Sequence, residues 1–488
     1  MPDLVIHDAI VIPVDQDRTV IENGTVIVDE DIIQTVRATQ PDDRSLHAET
    51  KIDGDGTVVL PGLINTHAHL ELSALHGAFS DGMPTEILLH AMAVFSKLRD
   101  EYNYLGRAGF RLAALNFINA GITTVNTQDI VPERGVDALG GSGLRAFMCP
   151  GVGDLLWERS TDAQLDRARS FIDTHHESYD GRIRATIGPF DDIVCTESFW
   201  REIATLAAEY PDLLVHTHVL GDDLSDLNAK ADHLGGPVDL LEDIGLWNDR
   251  LVAAHFRAAD ERDAKRAAGA DVGIAHCPLY AYQAPDDSGT WMPVPALTEH
   301  NATISLGLDD VYFSDSYNLF NTAREARVVA NQIYGAQQFS SFDLLRMLTR
   351  DGAAVLNMER ELGSLEPGTK ADMILVDMES PRFRPVTNLP ALLLNGATPA
   401  DVTTTIVNGE ILMRDDEIVS MDADAVIDEV ERAVERFVDD SSWDLDIAGS
   451  SCPDWYASVR EMPKLGPLHL GLRLARGAMR DKLPIYET

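Results

Sequence analysis

Between residues 61 and 360 the chain repeats one pattern: a short apolar run, a turn, then a longer stretch of helical periodicity. The strand candidates, in order, are TVVLPGLINTHAH, ITTVNT, LRAFMCP, RIRATIGPF, LLVHTHV, LVAAHF, DVGIAHCP and ATISLGLDD. Helical patterns fall between them, including YLGRAGFRLAALNFINAG (closed by Gly121), DAQLDRARSFIDTHH, SFWREIATLAAEY and ADERDAKRAAGA. Eight strand–helix units in this order predict a (β/α)8 barrel, whose chemistry sits at the C-terminal ends of its strands.

The chain ends have a different texture. LVIHDAIVIPV, TVIENGTVIVDE and DIIQTV are short, alternating and β-branched, with turn signals such as ENG between them. ADMILVDME and TTTIVNGEILMRDDEIV repeat that texture near the other end. The expectation is an α/β chain: a barrel over 61–362, with a small β-sandwich built from 1–60 and 363–420. Residues 421–488 begin as a helix (DADAVIDEVERAVERFV) and are expected to form a helical C-terminal extension.

The segment PGLINTHAHLELS places His67 and His69 two residues apart at the end of the first barrel strand. Residues i and i+2 of a strand share a face, which suits two imidazole nitrogens on one metal ion. Taken alone, the pair also fits ordinary polar residues at a strand end. The other strand ends decide between these readings. The fifth strand carries His216 and His218, the sixth His255, the seventh His276, and the eighth Asp309 and Asp310. Histidines gathered at one end of the predicted barrel point to a metal centre. His216 is expected to face away from His218 as a packed core histidine; His276 fits either a pocket lining or a structural role.

Thirty-nine basic residues against eighty acidic ones leave a net charge of −41, and only seven of the basic residues are lysines. Such a surface repels nucleic acid and anionic membranes, so neither is expected as a partner. Its self-repulsion is relieved by salt, which predicts a halophilic, cytoplasmic setting. The four cysteines are scattered without a CxxC pair, so no disulfide framework or thiolate zinc site is expected. No apolar run approaches the ~20 residues of a spanning helix, and the N-terminus carries no signal-peptide pattern. GGSG at 140–143 lacks a nucleophile-elbow pattern and reads as a loop, and GVGD at 151–154 is too sparse for a phosphate site.

PGLINTHAHLELS, AGITTVNT, VHTHV, LVAAHF, AHCP, LGLDD, GSLEPGTKADMILVD and TTIVNGE occur in this order. In these motifs the chain resembles the amidohydrolase superfamily, in its cytosine-deaminase and chlorohydrolase-like branch, over about residues 3–420. The resemblance implies a distorted (β/α)8 TIM barrel and hydrolysis of a carbon–nitrogen bond of a small, heterocyclic substrate. It makes His67, His69, His218 and Asp309 the ligands of one divalent metal, zinc first and iron second. Such a metal lowers the pKa of water from about 15.7 towards 7. Asp309 then takes the proton, and His255 holds and polarises the water. Binuclear members bridge their metals with a lysine at strand four; no lysine lies between Lys97 and Lys230, so one ion is expected.

The substrate side departs from the family's pattern. The strand-five motif HxxE, whose glutamate protonates a ring nitrogen, here reads HVLG, with Gly221 followed by Asp222 and Asp223. Phe190 stands where a histidine usually follows GP, and HCPLYAY replaces HCPxSN. Asp222 is the expected substitute acid, and Glu71, Trp157, Phe190 and Tyr280 the expected substrate contacts. A homo-oligomer, dimer or higher, is expected. The alternatives are expulsion of another leaving group, such as chloride from a heteroaromatic ring, and a non-catalytic member.

Overall fold

The structure is a computed structural model describing residues 1–78, 93–155, 160–221, 230, 233, 235–279, 291–311, 317–441, 443–446 and 449–451. It begins with β1 (Leu4–Val11), β2 (Ile21–Asp29), β3 (Ile32–Ala38), β4 (Thr50–Asp53) and β5 (Thr57–Pro61). The barrel strands follow: β6 (Leu63–His69), β7 (Ile122–Asp129), β8 (Arg145–Pro150), β9 (Ile183–Ala185), β10 (Val215–Val219), β11 (Leu251–His255), β12 (Gly273–His276), β13 (Ile304–Leu306) and β14 (Asp309–Asp310). The chain then returns to the first sheet with β15 (Met373–Asp377), β16 (Val402–Val407), β17 (Glu410–Arg414) and β18 (Glu417–Ile418).

β6, β7, β8, β10, β11 and β12 are buried along their whole length. Parallel strands covered on both faces are buried along their length, yet β6, β7 and β10 also bury polar side chains, among them His67, Asn126, Gln128 and His216. Strands β10 to β13 pair in parallel, and β14, β6, β7, β8 and β9 form a second run. The seam between β9 and β10 is held by Ile187 N donating to Leu214 O and His216 N to Ile187 O, both at 2.9 Å. The other seam lies inside the eighth strand. β13 pairs with β12 while β14 pairs with β6, and Gly307 and Leu308 form the break between them. A Cβ on Gly307 would meet His67 Cβ and Cys277 Sγ at 2.9 Å, so only glycine allows this close approach. Asn65 Oδ1 receives Leu308 N at 3.0 Å and fixes the break. The predicted distorted barrel is present, its eighth strand split in two.

Helices α1 (Asn103–Asn119), α2 (Thr161–His175), α3 (Glu197–Glu209), α4 (Glu261–Gly269) and α5 (Leu319–Tyr334) surround the strands. Their starts follow from side chains that accept orphan backbone N–H groups: Ser160 for α2, Thr196 for α3, a reciprocal Asp260–Asp263 box for α4 and Asn318 for α5. α1 stops where Gly121 takes φ +73°. Gly140 and Gly141, expected in a loop, instead end a short helix, Val136–Gly141, and only Ser142 and Gly143 turn.

The two chain ends form one continuous nine-stranded sheet, because β5 pairs with β1 on one side and with β15 on the other. It encloses its own core of Leu4, Ile6, Val26, Val28, Met373, Leu375 and Ile406. A buried ion pair ties it to the barrel: Arg145 at the start of β8 reaches both oxygens of Asp372 at 3.2 Å. Helix α6 (Ala423–Asp440) lies against α1, with Arg107 Nε 3.1 Å from Glu429 and Phe437 edge-on to Tyr102. No helix among the described residues is long and apolar enough to cross a membrane.

Candidate metal centre

The C-terminal ends of β6 and β10 and the start of β14 bring four of the expected residues to one point. His69 Nε2 and His218 Nε2 are 3.1 Å apart. Asp309 Oδ1 lies 3.3 Å from His67 Nε2 and 3.7 Å from His69 Nε2. Donor atoms held ~2.0–2.1 Å from one tetrahedral zinc are separated by about 3.3–3.4 Å. The three spacings bracket that figure. His67 Nε2 is buried and has no hydrogen-bond partner among the described residues. A buried polar atom without a partner costs about 1–3 kcal/mol. A cation held between it, His69, His218 and Asp309 Oδ1 removes that penalty, so the site is compatible with a single metal ion.

The opposite nitrogen of each imidazole is fixed by the protein. His69 Nδ1 donates to Gln128 O at 2.5 Å, and His218 Nδ1 to Phe190 O at 2.7 Å. His67 Nδ1 lies 2.8 Å from His216 Nε2. These contacts set the tautomers that leave each Nε2 lone pair facing the common point. Burial lowers His67 and His216 well below the usual imidazole range and brings His218 to about 4. Neutral imidazole is the form that binds metal. For His69, the carboxylates of Asp310, Asp309 and Asp129 outweigh burial and raise it.

His216 corrects the sequence reading. Residues two apart on a strand share a face, so it points into the barrel below His218 rather than away from it. It is fully buried, yet its ring meets a ligand candidate rather than apolar packing alone. The signal was in VHTHV; its meaning required knowing that β10 lies across the barrel from β6.

His255 stands at the tip of β11 with its ring stacked 5.1 Å from His218. Burial holds it neutral, well below the usual range. His255 and Asp309 both adopt left-handed backbone, at φ +71° and +61°. Such strain in non-glycine residues clusters at functional sites. Cys277 also approaches His67 and Asp309, but burial pushes its thiol well above the usual range and keeps it protonated. His276, buried and lowered to about 4 by that burial, lines a narrow cleft beside the centre with His255, Arg257, Trp291 and Tyr334.

The expected substrate contacts divide. Phe190 is half-buried, with its ring 4.9 Å from His218 and 5.8 Å from His69. Glu71 is not placed for substrate: it is 1% exposed, and both its oxygens accept backbone N–H groups, from Ile130 at 2.9 Å and Val131 at 2.8 Å. Trp157, Asp222 and Tyr280 lie outside the described residues. Gly221 is described, and a Cβ there would meet the His255 ring at 3.3 Å.

The family model for the Amidohydrolase family matches residues 58–412. The chain belongs to the amidohydrolase family. A 5'-deoxyadenosine deaminase of Methanosarcina acetivorans is 31% identical over 90% of this chain and 99% of its own length. A 5-methylthioadenosine/S-adenosylhomocysteine deaminase of Thermoanaerobacter pseudethanolicus is 28% identical over 89% of this chain and 99% of its own. Among solved structures, an adenosine deaminase from Xanthomonas campestris with bound zinc superposes with a TM-score of 0.83 at 23% identity, covering 90% of this chain and 99% of that one. Atrazine chlorohydrolase from Arthrobacter aurescens TC1, complexed with zinc, gives 0.77 at 24% identity, covering 88% and 100%. This amidohydrolase is a metal-dependent hydrolase of carbon–nitrogen bonds other than peptide bonds.

Proposed function

We propose that this amidohydrolase uses one zinc ion, held by His67, His69, His218 and Asp309, to deaminate a 6-aminopurine nucleoside or a related amino-heterocycle. The observation that carries this reading is the convergence of three Nε2 atoms and one carboxylate oxygen, with every Nδ1 tied elsewhere. Iron is the second ion that such a nitrogen–oxygen set accepts. The nucleoside class is supported by near full-length similarity to deaminases of 5'-deoxyadenosine and 5-methylthioadenosine.

When bound, the ion supplies the Lewis acidity that makes water a nucleophile near neutral pH. Asp309, whose Oδ2 is directed towards His255 Nδ1 at 3.9 Å, receives the proton of the attacking water. His255, kept neutral, orients that water and carries the proton towards the leaving nitrogen. Phe190 presents an apolar wall beside His69 and His218 against which a flat ring can rest.

Gly221 favours a second reading at one step. It faces His255 and carries no acid where deaminases of this branch place a glutamate. Either Asp222 supplies the proton, or the leaving group needs none, as with chloride on a heteroaromatic ring. Comparing Asp222→Asn with Asp309→Asn separates the two: near wild-type turnover in the first and none in the second removes Asp222 from the mechanism.

The −41 charge supports salt adaptation and the absence of nucleic-acid or anionic-membrane partners. The test of the whole reading is metal content and activity of wild type and His218→Ala on 5'-deoxyadenosine and related heterocycles in molar KCl. Wild type should hold one zinc and the variant almost none; full occupancy in the variant rejects the ligand set.

A further inference from the structure

The tips of β6 and β7 are joined by side chains that satisfy each other's backbone. Asp129, the last residue of β7, accepts Leu70 N at 2.7 Å and Glu71 N at 3.2 Å on a single oxygen, Oδ1. Glu71, two residues beyond β6, accepts Ile130 N at 2.9 Å on Oε1 and Val131 N at 2.8 Å on Oε2. Between these two exchanges lies His69 Nδ1, which donates to Gln128 O. Five hydrogen bonds therefore bind residues 69–71 to residues 128–131. From the other side α1 presses on the same loop: a Cβ on Gly109 would meet Glu71 O at 2.4 Å, so the helix rests directly on this backbone.

We propose that Glu71 and Asp129 form a reciprocal clasp that positions His69 for the metal. The inference rests on the reading of His69 as a ligand. Strands β6 and β7 keep parallel pairing as far as Ala68 and Thr127. Beyond that point the ladder ends and backbone N–H groups need other acceptors. Two buried carboxylates supply them, and so the imidazole that leaves the strand is held by its own backbone, by Gln128 and by the loop opposite. Neither carboxylate touches substrate; both act through His69.

The two halves of the clasp differ in a way that can be tested. Glu71 uses both oxygens on N–H donors, so an amide in its place can serve only one of them. Asp129 uses Oδ1 for two N–H donors, while Oδ2 is the acceptor for the Thr127 hydroxyl at 2.5 Å. That hydroxyl can turn to Ala68 O, 3.1 Å away, and accept from an amide instead. Asp129→Asn therefore preserves the clasp, and Glu71→Gln breaks it.

The experiment strips the full-length protein of metal and titrates zinc against a competing chelator, with thermal melts of the same apo-proteins. Glu71→Gln should weaken zinc binding by about 10–100-fold, the range for residues that orient a ligand. Asp129→Asn should stay close to wild type. If Glu71→Gln does not fold, Glu71→Asp keeps a carboxyl group, cannot reach both N–H groups, and carries the same expectation. Wild-type zinc affinity in the Glu71 variant, or a loss in Asp129→Asn equal to that in Glu71→Gln, overturns the clasp. So does a fall in apo-protein melting temperature with zinc affinity unchanged. Zinc uptake by wild type that His218→Ala leaves intact overturns the ligand reading instead, and with it the ground on which the clasp stands.

Discussion

His255 Nδ1 stands 3.9 Å from Asp309 Oδ2, and both residues hold left-handed backbone at the ends of strands that are not neighbours in the barrel. Each is thus bent out of its strand towards the same point. Burial keeps His255 neutral, the state that the proposed water-orienting role requires.

The pair gives the first prediction. His255→Gln should retain its metal and lose about 10²–10⁴-fold in kcat, the usual contribution of a general acid–base group. Asp309→Asn should lose both activity and metal affinity if it serves, as proposed, both as ligand and as proton acceptor. Zinc content measured beside steady-state kinetics separates the two; a metal-free His255→Gln would make His255 a ligand.

His216 supplies the second. Replacing it with Phe preserves ring volume and removes the partner of His67 Nδ1. Zinc affinity should fall by about 10–100-fold while the barrel still melts cooperatively. Chelator competition measures the affinity. An unchanged value would reduce His216 to packing.

Salt is the subject of the third. With a −41 charge, raising KCl from millimolar to molar should raise the melting temperature, because screening shortens the range of repulsion from ~30 Å at 0.01 M to ~3 Å at 1 M. Thermal melts across a KCl series check this, and a flat or falling series rejects salt adaptation.

The fourth concerns the junction between barrel and sheet. Arg145 is 3% exposed and also donates to Asn408 Oδ1 at 2.5 Å. Arg145→Met leaves Asp372 buried and uncompensated and should lower stability by about 3–5 kcal/mol. Arg145→Met combined with Asp372→Leu should recover part of that loss in denaturant titrations.

Acid stability gives the fifth. The Arg37 guanidinium, at 2.6 Å on both oxygens, holds the Asp43 carboxyl at about 2. A carboxyl depressed in the folded state stabilises above its unfolded pKa of about 3.9 and loses that contribution as pH falls through about 2. The stability gap between wild type and Asp43→Asn should therefore be full above about pH 4 and close towards pH 2. A gap that is constant with pH would show that the pair contributes no linkage.

The sequence alone determined the eight strands, their order and the residues at their tips, because periodicity and turn residues are local. His67 and His69 could be read as a pair from their spacing of two; the strand ends offered further candidates, and only the family resemblance singled out His218 and Asp309 among them. Burial by tertiary contacts decided the rest. From HLELS, Glu71 is expected to contact substrate, yet β7 lies beside β6, and its turn supplies two N–H groups that claim both oxygens. The meaning of His216 depended on β10 facing β6 across the barrel, and the split of the eighth strand goes with the close approach of Gly307 to His67 and Cys277. These are distances between residues far apart in the chain. No local pattern encodes them; only packing into a closed barrel brings such atoms within hydrogen-bonding reach.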